Sequence, residues 1–246
     1  MLMSYIRKIR RRTATLFRAG LCTALLLVAC LILSGPSAAQ IPPGADEVSA
    51  YRGLHAAAAS GDAAEIEKLV AAGAAIDARD AHARTPLHVA VFLRRGEAAR
   101  TLMRLGADAN ALDAQQYDIV TIAAVADDVP MLKLALAGGG KAGNITSPYR
   151  GTALIAAAHL GHDEVVRRLI AAKAPLDHVN NLGWTAVIES IVLGDGGSRH
   201  VATLKALVDA GADINIADRS GDTPLTLARR RGFKEMVAIL EKAGAR

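Results

Sequence analysis

The chain has 246 residues, 52% hydrophobic but only 3% aromatic, with 29 Lys and Arg against 24 Asp and Glu for a formal net charge of +5. That length is ample for burying a core, and an apolar content carried by Ala, Leu and Val rather than by rings favours close helix-on-helix packing, hence an all-α chain. Arg7, Lys8, Arg10, Arg11, Arg12 and Arg18 all stand in the first 39 residues, which hold no acid, so the remainder carries 23 basic against 24 acidic residues and lacks the basic footprint of a nucleic-acid binder.

RKIRRR at 7–12 runs into LCTALLLVACLIL at 21–33, the basic and apolar regions of a secretory signal peptide. The uncharged run of 13 residues falls short of the roughly 20 that span a bilayer. Small residues at 37–39 put the expected cleavage between Ala39 and Gln40, making 1–39 the signal peptide. A second reading stays open: Leu27, Val28, Ala29 and Cys30 resemble a lipobox, which would give a lipoprotein anchored through Cys30, although Leu31, Ile32 and Leu33 carry the apolar run past it. In the soluble exported form Cys22 and Cys30 both leave with the signal, and no disulfide, thiol nucleophile or cysteine metal ligand remains. The expected location is the periplasm of a Gram-negative cell or the medium outside it.

After a linker at 40–46 one pattern recurs: RGLHAAA, RTPLHVA, DIVTIAA, TALIAAA, TAVIES and TPLTLA. Aligned on the third letter of TPLH, the copies place Leu54, Leu87, Val120, Leu154, Val187 and Leu225 at spacings of 33, 33, 34, 33 and 38. The best-preserved copy gives the physical reasons. Thr85 caps a helix whose first position is Pro86, where a missing N–H costs nothing. Leu87 points to a core, and Ala90 is small enough for neighbouring copies to approach. Gly61, Gly161 and Gly232 mark a turn seven residues after the aligned position. Val165, Val166, Leu169 and Ile170 then form the single apolar face of a second helix. GAD at 106–108 and 211–213 ends that helix on glycine, and Asp80, Asp113, Asn180 and Asp218 open a β-turn finger into the next copy.

A period near 33 carrying T-P-L-H-x-A resembles the ankyrin repeat, over about residues 47–246. The resemblance implies an all-α solenoid of six helix-turn-helix repeats with β-turn fingers, at about 47–79, 80–112, 113–146, 147–179, 180–217 and 218–246. It also implies that His88, matched by His55, ties down its own turn rather than catalysing. The departures carry expectations of their own. Residues 193–200, LGDGGSRH, are expected to form a surface loop whose deletion over 195–199 leaves stability unchanged. The finger after GGGKAG should be irregular, Arg229, Arg230 and Arg231 should face water as a terminal cap, and the first copy should begin as a helix from Asp46.

No catalytic or metal constellation emerges. His159, His162 and Glu164 fall on the expected inter-helix turn, Asp127 and Asp128 fit a helix cap better than an acid/base pair, and Asp195 lies in a Gly-rich turn. No cofactor is expected. The resemblance implies a concave groove for a protein partner, lined by the fingers and first helices, and places Arg84, Phe92, Tyr117, Tyr149, His159 and Trp184 on it. The rings of Phe92, Tyr117 and Trp184 are expected to face solvent as interface anchors, whereas Tyr51 fits equally well as a cover for its own hairpin. The expected function is that of a monomeric, non-enzymatic binding scaffold. The alternatives are an effector passed on to a host and, with less support, an enzyme built near 193–200.

Overall fold

The computed structural model describes residues 40–246. The expected signal peptide, its last residue Ala39 and the alternative anchor Cys30 lie outside the described residues. A short helix α1 (Ala45–Ala50) precedes six antiparallel pairs: α2 (Gly53–Ser60) with α3 (Ala63–Ala71), α4 (Pro86–Phe92) with α5 (Gly96–Arg104), α6 (Ile119–Val125) with α7 (Val129–Ala137), α8 (Ala153–His159) with α9 (Asp163–Ala171), α10 (Ala186–Val192) with α11 (Ser198–Asp209), and α12 (Pro224–Arg231) with α13 (Lys234–Lys242). First helices pack on first helices and second on second, so two continuous layers run the length of the stack. Among the described residues there is no strand, only one isolated antiparallel bridge between Thr146 and Gly151.

Five of the six first helices start where a short polar side chain takes up an orphan amide; the first, capped by Arg52, has no such bond. Thr85, Asp118, Thr152, Thr185 and Thr223 accept from the backbone N–H three residues on. Leu87, Val120, Leu154 and Val187 are fully buried at the aligned position, with Ala90, Ala158 and Ala228 equally inaccessible where adjoining helices touch. The histidines do more than hold their own turn. His88 Nδ1 lies 2.8 Å from Thr85 Oγ1, but its Nε2 reaches the carbonyl of Tyr117 in the next finger at 3.1 Å, as His55 Nε2 reaches that of Arg84 at 3.0 Å. Burial pushes the His88 imidazole below its ordinary range, the Tyr117 carbonyl acting against it.

Two expectations need correction here. Residues 40–46 are not a free linker: α1 begins at Ala45, Pro43 is buried, and Ile41 N–H donates to Gln115 Oε1 at 3.2 Å, so the segment lies against the second and third copies. Nor is the insertion a detachable loop. It closes in residues 193–197 and its remainder lengthens α11, where Arg199 bonds Asp127 at 2.8 Å and Asp163 at 3.2 Å and His200 Nε2 meets the His159 carbonyl at 2.9 Å. Deleting 195–199 would remove the start of that helix together with its brace. The finger after GGGKAG is indeed the odd one, with Ser147 and Arg150 both at positive φ. Arg229, Arg230 and Arg231 are exposed at the end of the stack.

Candidate partner-binding surface

The six residues assigned by sequence to the side formed by fingers and first helices divide into two groups. Arg84 is 1% exposed. Its Nε bonds Asp80 Oδ2 at 2.7 Å, a terminal nitrogen bonds Glu47 Oε1 at 2.6 Å, and Tyr51 O–H donates to the same Asp80 oxygen at 2.7 Å. Burial raises the Asp80 carboxyl, yet the bonds from Tyr51, Arg84 and the backbone win and hold it at about 2. Tyr117 is 6% exposed and part of the core, because the next finger is laid beside it through the Ser147 N–H to Gln116 carbonyl bond of 2.8 Å. Neither residue is available to a partner. Both were placed by repeat offset, and an offset does not register what packs over a position. Phe92 is half-buried against the core.

The other three stay accessible, in the fourth and fifth repeats. Tyr149 is 38% exposed at a finger tip, Trp184 half-buried at the base of the next finger, and the His159 side chain 43% exposed at the end of α8. Asn181 ties the two fingers together, its N–H donating to the Tyr149 carbonyl at 2.9 Å and its amide to the Pro148 carbonyl at 3.3 Å. Around them Ile145, Val179 and Leu182 are exposed as well. The other finger tips are small or polar, with Ala81 and His82, Ala114, Gln115 and Gln116, and Arg219, Ser220 and Gly221. Sequence reasoning missed Ile145, Val179 and Leu182 because it weighed aromatic and polar side chains and passed over aliphatic ones, although the contrast between tips is present in the sequence.

The neighbouring polar groups serve structure. His162 Nδ1 meets the Ala124 carbonyl at 2.9 Å, Asp128 caps α7, and His200 Nδ1 meets Asp195 at 2.8 Å. Among the described residues no three His, Cys, Asp or Glu side chains converge as a metal site. Glu189 is the exception to this quiet chemistry. It is 4% exposed on α10, and burial pushes its carboxyl up to about 7 against a hydrogen bond from Asn180.

Comparison with known proteins agrees with the geometry. A family profile described as ankyrin repeats (3 copies) matches residues 21–113 and 120–218, and a second, ankyrin repeats (many copies), matches 196–241. The ankyrin repeat protein YahD of Escherichia coli is 32% identical over 190 residues, 77% of this chain and 94% of YahD. An ankyrin repeat domain from Acinetobacter baumannii is 43% identical with a TM-score of 0.75, over 78% of this chain and 98% of that one. The ankyrin repeat protein EF0377 is 30% identical with a TM-score of 0.72, over the same shares.

Proposed function

Because this chain belongs to the ankyrin repeat family, a fold that generally serves protein–protein interaction rather than catalysis, we propose that it is a non-enzymatic scaffold whose concave side holds a protein partner at the fingers of the fourth and fifth repeats. One observation carries the reading: Ile145, Tyr149, Val179 and Leu182 are all exposed, in the fingers that lead to and include Trp184, whereas the tips of the other fingers are small or polar. A rigid apolar cluster with an aromatic at its centre is what interface hot spots are made of. The basic and apolar opening of the chain supports action after export, in the periplasm, and the absence of any excess positive charge over 40–246 supports a protein rather than a nucleic acid as the occupant.

The test is capture of partners from periplasmic extract by the purified protein, with Tyr149→Ala and Trp184→Ala as controls. The expected result is a partner retained by the parent chain and lost by both variants at unchanged melting temperature. Retention of every partner by both variants would remove this surface from consideration.

A further inference from the structure

The fifth repeat carries one buried carboxyl oxygen, on Glu189, that the chain itself leaves without a hydrogen-bond partner. Two places after the aligned apolar residue stand Ala56, Val89, Ile122, Ala156 and Leu227, and in the fifth copy Glu189. Ala56, Ala156 and Leu227 are partly exposed at this offset, whereas Val89, Ile122 and Glu189 are buried. Glu189 Oε1 accepts from Asn180 Nδ2 at 2.9 Å, whereas Oε2 is buried with no hydrogen-bond partner. His159 Nδ1 stands 3.6 Å from it, beyond hydrogen-bond reach, on a side chain that is 43% exposed.

The arrangement is held in place by its surroundings. Asp80, Asp113 and Asp218 begin their fingers with a carboxylate, and Asn180 replaces it where Glu189 lies alongside. Its Oδ1 still accepts from Leu182 and Trp184 N–H at 2.9 and 3.0 Å, while its Nδ2 holds Glu189, a bond that Asp could not donate. An unpaired buried carboxylate is costly, and the cations on the packed elements are engaged elsewhere. On α12 Arg229 pairs with Glu241, Arg230 with Asp222, and Arg231 donates to the Gly194 carbonyl; on α11 His200 is held by Asp195 and the His159 carbonyl. On α8 His159 is kept neutral near pH 7, burial lowering its basicity with His200 and His162 adding to the effect.

We propose that Glu189 is the receptor for one basic side chain, Arg or Lys, on the partner segment that lies over the fourth and fifth fingers, admitted when the His159 ring turns aside. This rests on the groove reading above. Tyr149, Leu182 and Trp184 suit the aliphatic stem of such a residue while its head meets the carboxylate as a charge-assisted pair. With Glu189 titrating near 7 in the free protein, the cation selects the ionised form, so binding releases a proton at neutral pH and strengthens as the pH rises through 7.

The probe is a library of random heptapeptides displayed on phage and selected on the purified protein at pH 8 and pH 5.5, and on Glu189→Gln and Trp184→Ala at pH 8. The expected outcome is an apolar consensus with Arg or Lys enriched at one position at pH 8, the basic enrichment vanishing on Glu189→Gln and at pH 5.5 while the apolar part persists. Replacing that Arg by norleucine in the best peptide should weaken it at least tenfold on the parent and less than twofold on Glu189→Gln. A consensus without a basic position, or equal enrichment on Glu189→Gln, overturns the cation receptor and leaves the groove reading intact. Peptides indifferent to Trp184→Ala overturn both.

Discussion

Arg84 and Glu189 are both ionisable side chains buried in one repeating architecture, and they are treated in opposite ways. Around Arg84 the chain supplies everything a buried ion requires: Asp80 and Glu47 as counter-charges, Tyr51 to complete the Asp80 shell, and the 41–47 segment laid over the top. Around Glu189 it supplies one amide and stops, leaving an oxygen without a hydrogen-bond partner beside the half-exposed His159 side chain. The first arrangement closes a surface. The second leaves one to be closed by something else, and it lies next to the apolar fingers.

The largest effect should come from breaking the closed end. Arg84→Met leaves Asp80 and Glu47 without their cation and should cost about 3–5 kcal/mol in urea unfolding at pH 7, as loss of one partner of a buried pair does. Adding Asp80→Asn and Glu47→Gln should recover much of the loss. Tyr117→Ala removes a core ring from the same half and should cost about 3 kcal/mol, with melting rather than binding as its readout.

At the open end the sign reverses and depends on pH. The Glu189 carboxyl is raised in the folded state to about 7, while the unfolded chain gives up that proton near ~4.3. Between those values the unfolded state binds fewer protons, so stability falls as the pH rises through this window and is level above it. Glu189→Gln should therefore be nearly neutral at pH 4 and stabilise by up to about 3 kcal/mol at pH 8, measured as unfolding free energy at both pH values. Asp80, held down at about 2, behaves in the opposite sense: its contribution is in place above ~3.9, the unfolded value, and goes only as the pH falls toward 2. A Glu189→Gln protein with the parent's pH profile would erase the contrast.

Trp184→Ala should weaken the partner by about 2 kcal/mol, some ~30-fold in titration, with little change in melting. The smallest effect belongs to neither end. Lys173 occupies the left-handed region at φ 61 at the close of α9, where Gly73, Gly106 and Gly211 serve the same turn. Lys173→Gly should stabilise by about 0.5–1 kcal/mol, read as a small rise in melting temperature.

The repeat register was legible because its period is written in residues that must be buried or capped, from Leu87 and Thr85 to Gly232. The caps, the helix pairs and the polar end formed by Arg229, Arg230 and Arg231 follow from local chemistry. What could not be read was cover. Arg84 and Tyr117 share offsets with groove residues, and only the paths of residues 41–47 and of the 146–151 finger decide that they are inside. The insertion misled for a related reason: Gly-Asp-Gly-Gly signals a loop, yet the Arg199 and His200 that follow it find acceptors two repeats and one repeat away. Glu189 was visible as the one acid at its offset but carried no aromatic to draw notice.

The buried imidazole of His88 makes the stack uneven in how it yields to acid. That ring crosses from one repeat to the next as a neutral donor, its Nε2–H given to the Tyr117 carbonyl, and its lowered basicity means that protons favour the open chain once the pH drops below ~6.5. Its counterparts in the last four copies are Thr121, Ile155, Ile188 and Thr226, which do not titrate in this range. Mild acid thus loosens the junction between the second and third repeats while it relieves the carboxyl in the fifth. Amide exchange followed residue by residue from pH 7.5 to 5.5 would show opening migrate toward the second and third repeats, and the molecule would change which end breathes first without changing its fold.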